Sequence, residues 1–386
     1  MPAGIAHLAG IGMTDGPDSD GDGVSDGDER FLLDTYRPFL RFSRDGVDGE
    51  EHYNPTDALS YIRQSELLAG GDEGSSPIVT NADLAVSPGS LLFDASNVLS
   101  APGLSGYHLD PLESVPGSRR ENPGRHGATW AEILTRRNVG LYGHVVPYRE
   151  TLPQTDFRRY HLDPSRLYYK IEYWQFFGYS NANLAFSLGD HEGDWASVQV
   201  IYDPVARSAV SVLHYAHGIE FRFDVPAATS CHAVESEVLE FRGRYDPTID
   251  LVNTKWERRE HQIARAQNNV LRMYRDPTTA AFTHPVVYIE YGSHEFFPSA
   301  QWKYYASPRH GGDSRFRYLT ESPPNLGEVE QPMAEVPEAM FILQFNGFWG
   351  AFGRRNDPPQ GPPLHGSWTW PASSSVRWRV AGPLGF

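Results

Sequence analysis

The chain has 386 residues and a formal net charge of −16, from 49 acidic and 33 basic side chains. This balance argues against nucleic acid as a partner, because phosphate backbones are bound through Lys and Arg, and against a polybasic contact with anionic lipid. The 36 Gly, 30 Pro and 13% aromatic residues favour a loop-rich β protein over a helical bundle.

The first predicted element is a calcium-binding loop over residues 18–29. Its sequence, DSDGDGVSDGDE, has the spacing of carboxylates, central Gly and final Glu that gives Ca²⁺ its shell of oxygens. The predicted ligands are five carboxylates and one backbone carbonyl, from Asp18, Asp20, Asp22, Val24, Asp26 and Glu29. The Gly-rich residues before the loop make a poor entering helix, so we expect a structural calcium loop and not a paired EF-hand sensor. The alternative is a solvated acidic linker.

Helices are predicted at four places along the rest of the chain. Asn54-Pro55-Thr56-Asp57 is typical of a helix start, with Asn as the cap and Pro at the first helical position, and predicts a helix that runs to about Leu68. Short helices are expected at 31–36 and 130–137. A long charged helix is expected at 255–274.

Apolar residues alternate with a period of two from residue 166 onward, which is the signal of strands. The predicted strands cover 167–177, 195–202, 209–217, 219–224 and 285–291, with two later ones at 339–345 and 375–380. We therefore predict a mainly β protein with a β-sandwich core, inserted helices and long loops. Residues 1–30 would form a calcium-loop appendage, and residues 31–386 the sandwich domain with a helical insertion near 254–275.

The densest chemical cluster is GDHEGDW at residues 189–195, which places one imidazole and three carboxylates directly before a strand. Two other predicted strands end beside a His, at HG (217–218) and GSH (292–294). If these strands end at one rim, the side chains there would suit a divalent metal ion or a His/carboxylate acid–base pair. The candidate catalytic residues are three His and two carboxylates: His191, Glu192, Asp194, His217 and His294.

A structural role is the alternative for this cluster. An Asp at a strand entrance often binds backbone N–H groups, and Trp195 is expected to belong to the core. His214 and His144 are also expected to be structural. The chain has no Gly-x-Ser-x-Gly, phosphate-loop, dinucleotide or His-Glu-x-x-His motif.

The same segments resemble a known family. YRPFLRF (36–42), EEHYNP (50–55), YWQFF (173–177), HEGDW (191–195) and PVVY followed by GSH (285–294) are similar to motifs of the vacuolar protein sorting-associated family of the Vps-sixty-two type. The resemblance covers about residues 34–305 as spaced islands, and HEGDW is its most specific part. It implies a fold more than an activity.

A weaker similarity reaches the necrosis-inducing, NPP-type proteins. Their Gly-His-x-His-Asp-Trp-Glu motif lies on a β-sandwich, helps to hold a divalent ion and serves a membrane-directed toxin activity. The resemblance implies that His191 and Asp194 would hold a second divalent metal. Ala196 stands where that motif ends in Glu, so Glu192 or Glu295 would have to supply the missing oxygen.

Two functions are left open by these observations. One is a secreted hydrolase, in which Asp194 and His191 position a metal or water and His217 or His294 transfers the proton. The other is a non-enzymatic, toxin-like module that binds a glycan or lipid head group. A small molecule, a glycan or a lipid is thus the expected partner.

The compartment is predicted from the calcium loop and from the start of the sequence. The calcium loop favours an extracytoplasmic protein, whereas no signal peptide is visible at the start of the sequence, so a cytoplasmic location is the alternative. The single Cys231 excludes an intrachain disulfide and a Cys-based zinc site. No apolar run approaches the ~20 residues of a membrane-spanning helix, which argues against an integral membrane protein.

Overall fold

The fold is given by a computed structural model, which describes part of the chain. The described residues are 16–18, 23–42, 58–68, 76–87, 107–111, 141–149, 162–163, 165–180, 191–216, 219–225, 228–243, 270–276, 278–289, 294, 296–298, 345 and 347–350.

These residues form three short helices and fourteen strands. The helices are α1 (Asp26–Tyr36), α2 (Ala58–Arg63) and α3 (Asn81–Val86). The first seven strands are β1 (Phe39–Phe42), β2 (Ser65–Leu68), β3 (His108–Pro111), β4 (Tyr142–Tyr148), β5 (Tyr168–Ser180), β6 (His191–Asp203) and β7 (Ser208–Ala216). The remaining strands are β8 (Ile219–Asp224), β9 (Ala228–Glu235), β10 (Val238–Gly243), β11 (Val270–Arg275), β12 (Phe282–Ile289), β13 (Phe296–Phe297) and β14 (Phe348–Trp349).

The strands are arranged in three sheets. The first is a five-stranded antiparallel meander in the order β4-β5-β6-β7-β8. The second has the order β1-β12-β11-β10-β9, with β13 also paired to β12, and its β1–β12 pair is parallel. A small third sheet has the order β14-β3-β2.

The first two sheets pack face to face around a single hydrophobic core. Alternate side chains of the five-stranded sheet enter this core, among them Ile171, Tyr173, Phe177, Val198, Val200 and Val212. The second sheet contributes Leu40, Phe241, Leu271, Met273, Val287 and Ile289. Two apolar sheet faces buried against each other make a β-sandwich, which confirms the predicted fold class.

Helix α1 is part of the same core, although it begins inside the predicted calcium loop. On the apolar side of the helix, Leu33 lies in the core cluster. The Tyr173 hydroxyl donates a hydrogen bond to the Leu33 carbonyl at 2.8 Å. Ser25 caps the helix by accepting a hydrogen bond from the N–H of Asp28. The boundary predicted at residue 30 therefore falls within α1, and the division into two domains stays a prediction.

Two predicted helices are wrong in part. Residues 270–274, expected to end the long charged helix, lie in strand β11, because Leu271 and Met273 face the core while β11 pairs with β10 and β12 on its two sides. The helix expected up to Leu68 ends at Arg63 and is followed by β2. In both places sheet pairing outweighs local helix propensity.

Several predicted elements lie outside the described residues. These are the helix at 130–137, residues 255–269 of the long helix, the strand at 375–380 and, apart from Phe345, the strand at 339–345. In the part of the chain that the structure describes, no helix has the length and apolarity needed to cross a membrane.

Candidate functional site

The HEGDW motif forms the first residues of β6, earlier than the strand predicted from 195. In the β5–β6 ladder, Asp194 lies opposite Phe177 and Trp195 lies opposite Phe176. Because side chains alternate along a strand, Phe177 enters the sandwich core while Phe176 lies on the outer face of the sheet. The motif therefore places side chains on both faces of the first sheet.

The Gly of the motif permits close contact with the chain at β14. Gly193 has a φ of +62°, and a Cβ atom there would lie 1.9 Å from the carbonyl oxygen of Trp349. Gly350 fits in a reciprocal way, since its Cβ would lie 2.5 Å from the carbonyl oxygen of Glu192. Only residues without side chains allow the two backbones to approach so closely.

Asp194 meets His294 between the two sheets of the sandwich. The Nδ1 atom of His294 lies 3.4 Å from Oδ2 of Asp194, and the imidazole stacks on Phe177 at 4.0 Å with an interplanar angle of 4°. The His294 side chain is fully buried, whereas that of Asp194 is 16% exposed. His294 also has a φ of +55°, an uncommon conformation for a residue with a side chain.

Glu192 lies apart from this pair. It is close to Tyr61, whose pKa is raised well above its usual value by burial and then by the nearby carboxylates of Glu192 and Asp110. Its backbone and Cβ adjoin Gly350. Glu192 is therefore directed towards the aromatic layer on the outer face of the first sheet.

That aromatic layer packs on the outer face of β5 and β6. Trp195 contacts Phe176 and Trp349 with ring centroids 4.9 and 5.0 Å apart, and Tyr61 lies 4.9 Å from Phe176. All four side chains are buried. The expectation that Trp195 belongs to a packed core is confirmed.

The side chains of the other two candidate His residues lie outside the described part of the structure. His191 is the first residue of β6 and pairs with Ser180, which gives its backbone position only. His217 lies outside the described residues. The structure thus brings together Asp194 and His294 of the five candidates and separates Glu192 from them.

His214 is buried inside the sandwich, as expected for a structural His. It lies on β7 two residues after Val212, and both side chains face the core. Burial lowers the pKa of His214 to about 4, although a hydrogen bond to the Val286 backbone acts in the opposite direction. At neutral pH this imidazole is uncharged.

Part of the predicted calcium loop is also described. The Oδ2 atom of Asp18 accepts a hydrogen bond from the N–H of Gly23 at 3.0 Å, and Gly23 has a φ of +99°. Val24 and Glu29 are buried. Asp20 and Asp22 lie outside the described residues, and among the residues that are described no group of three or more His, Cys, Asp or Glu side chains has the arrangement of a metal site.

A second His/Asp pair was not predicted from the sequence. His284 on β12 lies with Nε2 3.5 Å from Oδ2 of Asp276, while its Nδ1 atom is 2.8 Å from the Arg37 carbonyl oxygen. Burial lowers the pKa of His284. Neither residue stands in a recognisable motif, so pattern alone could not have found the pair.

Comparison with known proteins gives one weak likeness. No family model matches the chain, and the search of curated proteins found no match. One solved structure, described as "Crystal structure of Necrosis and Ethylene inducing Protein 2 from the causal agent of cocoa's Witches Broom disease", aligns with 10% identity and a TM-score of 0.25. The alignment covers 69% of this chain and 67% of that one. The resemblance to the Vps-sixty-two type stays a prediction.

Proposed function

We propose that the protein is an extracytoplasmic β-sandwich whose functional site is the rim at Asp194, and that this rim binds a glycan or lipid head group. The observation that carries the proposal is that the carboxylate of Asp194 is partly exposed while the His294 side chain it contacts is fully buried. Asp194 reaches the surface, while His294 behind it is enclosed and stacked on Phe177. A side chain held in this way loses little freedom when it binds a ligand.

The backbone of His294 also supports a functional rim. A non-glycine residue in the left-handed region costs about 1–3 kcal/mol and persists where the surroundings hold it, often at binding sites. Because His294 is fully buried, it cannot touch a ligand in this conformation, so we assign it a positioning role. This favours binding over proton transfer as the task of the rim.

Hydrolysis is the second candidate, and the Asp–His contact itself favours it. A carboxylate that orients an imidazole is the usual support of a general base. His191 begins the same strand, so His191 and Asp194 would together position a divalent metal or a water molecule. This reading needs His294 or His217 to reach the reacting atoms.

The test compares Asp194→Asn with Asp276→Asn. Both Asp residues lie about as far from a buried His, at 3.4 and 3.5 Å, so the second variant controls for loss of a His/Asp pair. Binding is measured on a glycan array and on vesicles of neutral and anionic lipid, and turnover on ester, phosphoester and glycoside substrates. We expect wild type and Asp276→Asn to bind one ligand class equally, and Asp194→Asn to bind it at least tenfold more weakly.

Each other outcome has a defined meaning. Turnover in wild type that Asp194→Asn abolishes would replace the binding proposal with the hydrolase. Equal binding by Asp194→Asn and wild type would reject the rim as the site. Loss of thermal stability in both variants without any difference in binding would leave the Asp194–His294 contact with a structural role only.

We also propose that one Ca²⁺ occupies the loop of residues 18–29. The proposal is supported by the ligand spacing and by the hydrogen bond between Asp18 and Gly23, which folds the first half of the loop back on itself. Because Val24 and α1 belong to the sandwich core, loss of the ion should destabilise the whole domain.

Elemental analysis and thermal unfolding test the calcium site. We expect one calcium per chain in wild type and in Asp34→Ala, a control on the exposed side of α1, and none in Asp22→Ala. Chelator should lower the Tm of wild type to that of Asp22→Ala. Calcium retained by Asp22→Ala would contradict the assignment, and a second metal lost in His191→Ala would add a rim metal site.

A further inference from the structure

A cluster of arginines lies on the outer face of the second sheet, opposite the sandwich core. Arg41 of β1 and Arg272 of β11 both donate hydrogen bonds to the hydroxyl of Tyr288 on β12, at 3.3 and 2.5 Å. Arg41 lies directly opposite Tyr288 in the β1–β12 pair. Two guanidinium groups therefore converge on one phenol oxygen, and Tyr288 is only 1% exposed.

Two carboxylates pair with the arginines of this cluster. Glu235 accepts two hydrogen bonds from Arg41, at 2.7 and 2.5 Å, and these bonds lower the pKa of Glu235. Glu240 accepts hydrogen bonds from both Arg272 and Arg242. Arg41 thus has Glu235 as its carboxylate partner, while Arg272 and Arg242 share Glu240.

Arg41 also has a buried hydrogen-bond donor without an acceptor among the described residues. Its side chain is 6% exposed, and within the described part of the chain its Nε atom has no hydrogen-bond partner. A buried donor left without an acceptor costs about 1–3 kcal/mol. A bound anion that accepts a hydrogen bond from this Nε atom would remove that cost.

The cluster is exposed to solvent at Glu235. Glu235 ends β9 beside the turn to β10, and its side chain is 39% exposed. It holds Arg41 in the two-bond geometry that a guanidinium also makes with phosphate or with the carboxylate of a ligand. Glu235 therefore occupies the position that a ligand anion would take.

We propose that Arg41, Arg272 and Tyr288 form an anion-binding site for a phosphate or carboxylate group, from which the ligand displaces Glu235. The site lies on the outer face of the second sheet, whereas Asp194 and His294 meet inside the sandwich. It does not depend on the function proposed for the Asp194 rim.

Isothermal titration with inorganic phosphate and with acetate, at constant ionic strength, tests this site. We expect Glu235→Gln to bind at least tenfold more tightly than wild type, because the ligand no longer competes with a resident carboxylate. Arg272→Lys should bind at least tenfold more weakly, because the ammonium lacks the planar two-bond geometry. Binding of phosphate alone identifies a tetrahedral oxyanion site, and binding of acetate as well identifies a carboxylate site.

Arg222→Lys is the matched control. Arg222 is a largely buried arginine paired with Asp224 on β8, in the other sheet, so its replacement should leave anion affinity unchanged. Unchanged affinity in Glu235→Gln would overturn the proposal, as would equal weakening in Arg272→Lys and Arg222→Lys. If Arg272→Lys does not fold, the gain in Glu235→Gln decides the question alone.

Discussion

Gly193→Ala is expected to destabilise the protein by at least ~3 kcal/mol, because two separate costs combine at this position. The residue has a φ of +62°, which an L-residue adopts only with strain. Its new Cβ would also lie 1.9 Å from the backbone carbonyl oxygen of Trp349. A backbone atom in a paired strand cannot turn aside, so β14 has to separate from β6. The measurement is the free energy of unfolding in urea.

Gly143→Ala provides the control for a clash without backbone strain. Its Cβ would lie 2.6 Å from Cδ2 of Leu33, the mobile end of a side chain, and its φ is not positive. Overpacking of this kind costs about 1–3 kcal/mol and falls when the side chain can rotate. We therefore expect a loss of ~1 kcal/mol. Equal losses in the two variants would contradict the close fit of HEGDW against β14.

Acid is expected to destabilise the sandwich well above the range in which carboxylates titrate, because of His214. Burial holds the pKa of this His at about 4 in the folded protein, whereas an unfolded His has a pKa near 6.5. Below about pH 6.5, His214 therefore binds a proton in the unfolded chain but stays uncharged in the folded chain. Stability is intact above that pH and falls by about 3 kcal/mol as the pH approaches 4. The buried His284, whose pKa is also lowered by burial, adds to the loss.

The free energy of unfolding, measured from pH 7.5 to 4.5, tests this expectation. His214→Gln should lose some stability at pH 7.5 and show a shallower decline with falling pH, since Gln can bind the same backbone group without titrating. His232→Gln replaces a half-exposed His on β9 and should keep the slope of wild type. A His214→Gln variant with the wild-type slope would show that another group causes the acid sensitivity.

The mainly β fold and much of the first sheet follow from local sequence. Residues 167–177 and 195–202 alternate apolar and polar side chains, and this alternation suffices to predict the inner faces of β5 and β6. The same rule failed at β11, where VLRMYR has residues suited to a helix as well. The direction of the Glu192 side chain could not be predicted from local sequence either, because the positive φ at Gly193 breaks the simple alternation of faces along the strand.

The sequence by itself determined which chemical groups this protein has near its strand ends: the HEGDW carboxylates, a Gly-Ser-His segment and an acidic loop with calcium spacing. Tertiary structure alone decided which of them meet. Asp194 and His294 come together because β6 and the chain after β12 lie in facing sheets. Arg41 reaches Tyr288, 247 positions away, through the parallel pairing of β1 with β12. Such contacts depend on strand order and register, and those are set by burial of whole sheet faces, which no local pattern encodes.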